Sequence, residues 1–476
     1  MGVLRLPALL GEIPKERTRL LDNLGRIRRE VGPITPDLSD ALADAMNLRR
    51  GDVHEVASFY SYLHVPVETP RICTGPVCDC FGTRVATGEL EVACLGHCDL
   101  APVRLEGEEV AGGVTHNANG FLLEPDELRA VPELAPERVI EALRDSGLTG
   151  MGGAGFPAWR KWEAVLAEPA PRVVIVNADE GEPGTFKDRY LMELRPHLVL
   201  EGLELAMRFC ETDRAYIYLR EEYATARARL RAAIAERGLA VEIVVGAGSY
   251  VCGEESAMLE SMEGRRGMPR LRPPYPAQAG YLGRPTLISN VETLALAARI
   301  VRGKWTPARL WSVSGAVARP GCYEAPLDVT SRQLIDDFAG GATDEIGAVV
   351  PGGAASGILP PAALDAPLTR EHLLEWGCGP GSAGFQVFPA TYPIQRLLAE
   401  TMRFFAEESC QKCTPCRIGN RALHHLFEGE LTMTRETMDE WLEALEETSI
   451  CGLGQASPIP VRAALRHFPQ ELAWSS

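Results

Sequence analysis

The sequence predicts a multidomain α/β protein, helical at both ends with a sheet-bearing centre. Three observations carry that expectation. The chain has 476 residues, and at about 150 residues per domain that is too long for one core and enough for roughly three. Apolar runs of strand length alternate with helical stretches between residues 136 and 245, the pattern of a doubly wound sheet. Outside that region the texture changes, to helical periodicity near both termini and to short apolar runs among glycines and prolines elsewhere.

Taken in order, Leu20, Leu21, Leu24 and Ile27 recur at helical spacing, and Leu38, Leu42, Ala45 and Met46 do so again, with Asp37 and Ser39 as cap residues for the second helix. From Pro70 the runs Arg71–Cys73, Leu90–Cys94, Pro102–Leu105 and Glu109–Ala111 predict a small sheet, and Glu124–Pro136 reads as a linker. A helix over Pro136–Arg144 then leads to a glycine loop and a helix over Trp159–Leu166. The strand Arg172–Val176, a long helix near Leu191–Phe209, the strand Ala215–Leu219, the helix Thr225–Arg237 and the strand Val241–Val245 follow. Strand-like runs such as Trp311–Val313 and Val349–Val350 predict a β-rich segment from Trp305 to about Pro389. In the C-terminal region Met438, Trp441, Leu442 and Leu445 fall on one helical face.

Composition narrows the function classes. With 48 Lys+Arg against 65 Asp+Glu the formal charge is −17, and no stretch concentrates the basic stripe a nucleic-acid binder needs. The most apolar long stretch, Gly347–Leu364, is broken by Pro351, Pro360 and Pro361, so direct membrane insertion is not expected. Met1–Leu10 lacks the pattern of a signal peptide, and a cytoplasmic protein is expected. The 13 cysteines fall in clusters of short spacing, which in a reducing compartment points to metal binding over disulfides.

The strongest local signal is Cys410-x2-Cys413-x2-Cys416 with a distal Cys451. Three closely spaced thiolates can wrap three corners of a cubane while the fourth closes it, the usual way of holding a [4Fe–4S] cluster. Four-cysteine zinc is the rival, although zinc motifs generally pair two Cys-x2-Cys units. A second set, Cys73 and Cys78 with Cys94 and Cys98, can supply two thiolates to each iron of a [2Fe–2S] centre. Zinc is an alternative there too, and Cys80 could stand in for Cys78. The isolated Cys210, Cys252, Cys322 and Cys378 read as small buried hydrophobes.

Gly150-Met-Gly152-Gly153-Ala-Gly155-Phe156-Pro157 contains Gly-x-Gly-x-x-Gly, but a helix and not a strand precedes it, so it departs from the dinucleotide fingerprint. Its glycines would still let backbone N–H groups approach a phosphate or a flat ring. The strand Val173–Val176 delivers Asn177, Asp179, Glu180 and Glu182 to its carboxyl end, where open α/β sheets place ligands. Gly246–Glu255 repeats the design of strand, glycines and carboxylates. Each alone could be a solvated loop; three together argue for a nucleotide site.

These motifs, with Asn177–Arg189, Cys252–Ser256, Pro269–Pro276 and Asn290–Leu294, resemble the NADH-binding flavoprotein chain shared by respiratory complex I, NAD-reducing hydrogenase diaphorases and the beta chain of NAD-dependent formate dehydrogenases. The resemblance runs from about Gly147 to the C-terminus. Residues 1 to about 130 are similar to a shortened partner chain fused in front. It implies a helical bundle (1–66), a thioredoxin-like [2Fe–2S] domain (67–130), a Rossmann-like FMN/NADH domain (131–304), a ubiquitin-like β-grasp domain (305–389) and a four-helix-type [4Fe–4S] domain (390–476). Gly150, Gly152, Lys161, Asn177, Asp179, Glu180, Tyr250, Gly253, Glu254 and Asn290 would surround FMN. Phe156, Glu182, Glu255, Arg272 and Tyr275 would lie along NADH, with Glu182, Glu254 and Glu255 as the catalytic carboxylates. Ala164 stands where an adenine-stacking aromatic is expected, Tyr275 and Arg272 replace Phe and Lys, and Ser289 replaces an Asn beside the flavin phosphate.

The implied activity is NADH:acceptor oxidoreduction, a hydride passing between NAD(H) and FMN and single electrons passing through the clusters to or from a partner. Glu254–Arg270 looks closest to the formate dehydrogenase beta chains, with a hydrogenase diaphorase second and complex I third. A separate catalytic subunit, and a small [2Fe–2S] subunit, are the implied partners. A non-catalytic relay or scaffold, and a zinc-stabilised interaction protein, are the readings from other classes.

Overall fold

The computed structural model describes residues 2–472. Four helices, Gly2–Glu12, Leu20–Glu30, Pro36–Met46 and Arg50–Ala57, form the N-terminal bundle around Leu20, Leu24, Ile27, Leu42 and Val53. The cap of the third is Thr35, whose hydroxyl accepts from the Leu38 N–H at 3.3 Å, and not Asp37 or Ser39. Pro36 decides this: with no N–H to satisfy and φ already helical, it opens the first turn, so the capping position is the residue before it.

A first sheet follows, of β1 (Arg71–Cys73), β2 (Leu90–Val92), β3 (Arg104–Glu106) and β4 (Glu109–Val110), in the order β2-β1-β3-β4. β1 and β2 are parallel, and β3 runs antiparallel to β1. The central sheet, β5 (Val173–Ala178), β6 (Ala215–Leu219), β7 (Val241–Val245) and β8 (Thr286–Asn290), is wholly parallel in the order β7-β6-β5-β8. The order reverses between β5 and β8, which makes their carboxyl ends the topological switch point. β8 is the strand the sequence alternation lacks: five residues long, it ends in the polar pair Ser289 and Asn290.

Both faces of the central sheet are covered. Val174, Val176 and Leu219 pack under helices Pro136–Asp145, Pro196–Phe209 and Val291–Val301. Val173, Ile175, Tyr218 and Ile288 on the other face share a core with Leu20, Leu24, Leu42 and Tyr60, so the N-terminal bundle serves as the second helical layer. The long helix expected over 191–209 is two helices, Lys187–Leu194 and Pro196–Phe209, broken at Arg195. Pro196 disfavours helical backbone in the residue before it. Gly202 lies where Pro196–Phe209 crosses Val291–Val301, and a Cβ there would overlap the Leu294 backbone. Gly202→Ala is expected to lower stability by at least the ~1–3 kcal/mol that overpacking costs, read as a lower thermal unfolding midpoint.

The third sheet is β9 (Ala308–Gly315), β10 (Gly321–Pro326), β11 (Ile346–Val350) and β12 (Gly384–Pro389), ordered β10-β9-β12-β11 with only the central pair parallel. The C-terminal helices Ile394–Glu407, Thr414–Phe427, Arg435–Thr448 and Pro458–His467 close on Leu398, Phe405, Leu423, Met438, Leu442, Leu445 and Val461. Among the described residues no helix is long and apolar enough to cross a membrane.

Candidate functional site

The glycine loop joins helix Pro136–Asp145 to helix Ala158–Leu166. It is pinned as a turn by Gly150 N–H donating to the Phe156 carbonyl (2.8 Å) and by Met151 N–H donating to Thr293 Oγ1 (2.9 Å). Helix–loop–helix, not strand–loop–helix, is therefore the frame, and it lays Gly152 against Asn290 at the end of β8. Asn290 caps helix Val291–Val301 by accepting from Glu292 and Thr293 N–H at 3.0 and 3.3 Å. Across the switch point it is in register with Asn177, which donates to the Gly253 carbonyl at 2.7 Å.

Asp179 Oδ2 is buried without a partner, and burial pushes its carboxyl up to about 8. Glu180 does another job: its carboxylate accepts from the N–H groups of Asp188 and Arg189 at 2.9 and 3.1 Å and from Tyr223 at 3.1 Å, holding the start of helix Lys187–Leu194. Glu182 accepts from the Tyr250 hydroxyl (2.5 Å) and the Ala355 N–H (2.9 Å), and burial raises its pKa. Glu254 caps helix Glu255–Met262 through Ser256 and Ala257 N–H while pairing with Arg272. Glu255 pairs with Lys161, which also donates to the Ile288 carbonyl at 3.2 Å. Phe156 and Tyr275 are exposed aromatics, Ala164 is exposed on its helix, and Ser289 is buried within β8.

The N-terminal cysteines converge. Cys94 Sγ lies 3.9 Å from Cys98 Sγ, the thiol of Cys73 is close enough to Cys78 and Cys94 for both to shift its pKa, and Gly96 N–H donates to Cys94 Sγ at 3.4 Å. Cys80 is turned away, half-buried beside Asp79 and Asp344, so Cys78 completes the set. At the C-terminus Cys410, Cys416 and Cys451 are buried and Cys413 half-buried, each close enough to feel the charge of another. Ile450 N–H donates to Cys413 Sγ at 3.4 Å, while Ser409 Oγ and Asn420 Nδ2 sit 3.3 and 3.5 Å from Cys416 Sγ. Several contacts tie the two regions, among them Arg266 Nη2 donating to the Cys410 carbonyl at 3.2 Å and Lys412 Nζ to the Pro269 carbonyl at 2.7 Å. Tyr250 N–H donates to Glu408 at 2.8 Å, two residues before Cys410.

Family models match three stretches of the chain: the Nuo51 FMN-binding domain over residues 143–299, the NADH-ubiquinone oxidoreductase-F iron-sulfur binding region over 396–474, and the thioredoxin-like [2Fe-2S] ferredoxin over 6–91. An NADH-quinone oxidoreductase subunit of Rhizobium meliloti is 40% identical over 377 residues, 72% of this chain and 90% of that protein. The chain belongs to this NADH-binding flavoprotein family. The corresponding NADH-quinone oxidoreductase subunit of Mycobacterium tuberculosis is 39% identical over 71% of this flavoprotein and 84% of its own length. A chain in the crystal structure of an NAD+-reducing [NiFe]-hydrogenase in the H2-reduced state matches with a TM-score of 0.83 at 33% identity, covering 96% of this flavoprotein and 92% of that chain. The flavoprotein is an NADH dehydrogenase subunit whose cofactors are FMN, NAD(H), a [4Fe–4S] and a [2Fe–2S] cluster.

Its residues fit those groups. The unpartnered Asp179 Oδ2, on a residue whose backbone faces Gly253, leaves an acceptor for a flavin or ribose donor. Each cysteine set is all-sulfur, the donor chemistry that iron–sulfur clusters take. The thioredoxin-like match stops at residue 91, so Cys94 and Cys98 join this set on the fold alone.

Proposed function

We propose that the flavoprotein is the electron-entry subunit through which NAD(H) exchanges electrons with a separate catalytic subunit in the cytoplasm. The observation carrying this reading is the Tyr250–Glu408 contact, which joins the switch point to the C-terminal cysteine loop. Bound FMN supplies the change from two-electron nicotinamide chemistry to single-electron cluster chemistry. Gly150, Gly152, Lys161, Asn177, Asp179, Gly253, Tyr250 and Asn290 hold the flavin, and Glu180 fixes the strand end beneath it. Phe156, Glu182, Glu254, Glu255, Arg272 and Tyr275 line the nucleotide side. Cys410, Cys413, Cys416 and Cys451 hold the [4Fe–4S] cluster, and Cys73, Cys78, Cys94 and Cys98 the [2Fe–2S] cluster.

The same reading gives the segments their domain types. Residues 67–130 are a shortened thioredoxin-like domain, residues 131–304 are Rossmann-like through the β7-β6-β5-β8 order, and residues 305–389 are β-grasp-like through the parallel central pair β9–β12. The nearly full-length match to the hydrogenase chain, fused N-terminal region included, favours a hydrogen-oxidising partner. The run Glu254–Arg270 favours a formate-oxidising one as the second reading. Reduction of ferricyanide or viologen by NADH on the cofactor-loaded chain tests the activity, a flavin left unbleached by NADH would overturn it, and the chains that copurify decide the partner.

Glu255 sets the preference for the 2′-hydroxyl in this scheme. Its charge repels a 2′-phosphate and also ties up Lys161. Glu255→Gln removes the repulsion and frees that ammonium, so the NADPH:NADH ratio of kcat/KM should rise roughly tenfold, about 1.4 kcal/mol. An unchanged ratio in steady-state assays would remove Glu255 from this role.

A further inference from the structure

Arg220 and Glu222 lie just past β6 and form a buried ion pair, Nε to Oε2 at 2.8 Å, with side chains 6% and 3% exposed. Neither belongs to the flavin, nucleotide or cysteine sets. The guanidinium spends its other N–H groups on two loops. Nη1 donates to the Glu180 carbonyl at 2.6 Å, at the strand end of the flavin site, and Nη2 donates to the carbonyl of Cys94 in the N-terminal set. Tyr223 reinforces the junction: its hydroxyl, which donates to Glu180, lies 3.3 Å from the Gly96 carbonyl, and its ring meets His97 edge-on at 5.7 Å. Gly96 has φ +72°, and a Cβ there would overlap the Tyr223 ring, so the 94–98 loop is built to admit this contact.

A full charge in such a place acts through a low effective dielectric and little screening. Burial raises the carboxyl of Asp179, and there Arg220 pulls it down while Glu222 pushes it up. One-electron reduction of an iron–sulfur cluster adds a negative charge, and hydrogen bonds and net charge around the cluster set its potential. A cation bonded to the ligand loop stabilises the reduced form. A buried anion beside it does the opposite.

We infer that the Arg220–Glu222 pair tunes the reduction potential of the [2Fe–2S] centre, Arg220 raising it from its seat on the Cys94 carbonyl and Glu222 holding that effect in check. Arg220 is thus a positioning residue, acting on the centre through the ligand loop. The inference rests on the assignment of Cys73, Cys78, Cys94 and Cys98 as ligands.

The test is a mediated titration of the cofactor-loaded full chain with dithionite as reductant, following the [2Fe–2S] EPR signal. At the parent's midpoint, Arg220→Gln should shift the reduced-to-oxidised ratio about tenfold toward oxidised, about 59 mV for a one-electron couple. Glu222→Gln should shift it toward reduced. Arg220→Lys, which keeps the charge, should stay nearer the parent than Arg220→Gln does. A merely structural pair would not move the midpoint in opposite directions for the two neutral variants. Should Arg220→Gln fail to fold, Glu222→Gln and Arg220→Lys still decide. Midpoints that stay together, or that move the same way, overturn the inference alone. A parent chain with no [2Fe–2S] signal overturns the ligand assignment and the inference with it.

Discussion

Arg189→Met is expected to loosen the first sheet from the central one. Arg189 Nη2 reaches both oxygens of Asp99, at 2.6 and 2.7 Å, and Tyr190 donates to the same carboxylate at 2.9 Å. Arg189 and Asp99 are 0% and 1% exposed, and Glu193, 3.5 Å from Nη1, is 2% exposed. Methionine would leave the buried Asp99 without its cation and Glu193 with only the His116 ring, a loss of the order of 3–5 kcal/mol. Because Asp99 follows Cys98 directly, the loss falls on the N-terminal cysteine loop. Hydrogen exchange should therefore speed up across residues 71–110 while the C-terminal helices keep their protection. The double variant Arg189→Met/Asp99→Leu should recover most of the loss, since an apolar pair of similar volume often replaces a buried ion pair without penalty. Unchanged exchange over 71–110 in Arg189→Met would show that this pair does not hold the two sheets together.

Such pairs mark where sequence reading stops. The Asp99–Arg189 and Cys94–Arg220 contacts join residues 90 and 126 positions apart, and no local spacing encodes them. What the sequence does encode is covalent spacing and periodicity. Cys410, Cys413 and Cys416 have to be near one another because two residues separate each pair, and the strands Ala215–Leu219 and Val241–Val245 follow from their apolar runs. The choice between Cys78 and Cys80 needs the helix Pro76–Cys80, on which residues two apart cannot face the same way. The covering of Val173 and Ile175 by the N-terminal bundle is half visible: a strand apolar on both faces demands two layers, but nothing in it names the second. The break before Pro196 is visible too, yet the apolar periodicity on either side of it outweighs it. Glu180 reads as one acid among several at a strand end. Its bonds to the Asp188 and Arg189 N–H groups depend on the turn between them.

Cys451→Ser should cost the chain its [4Fe–4S] centre and leave the nucleotide end working. Burial pushes the thiols of Cys416 and Cys451 up to about 11 and about 12, so without metal both hold their protons near neutrality, and cluster binding has to displace them. Removing one of four thiolates should reduce iron retention by at least the roughly 10–100-fold that losing an outer partner of a metal site costs. Ser409→Ala and Asn420→Ala, which remove hydrogen-bond partners of Cys416 Sγ and no ligand, should fall within that range. The glycine loop, Asn177, Asp179 and Asn290 stand on the central sheet and its helices. Flavin content and NADH–ferricyanide turnover should accordingly stay near the parent's values in Cys451→Ser, while reduction of the natural partner and the [4Fe–4S] EPR signal disappear together. Iron and acid-labile sulfide measured against flavin distinguish this from a zinc site: a parent chain that held zinc and no sulfide, or a Cys451→Ser chain that kept the signal, would take Cys451 out of the cluster.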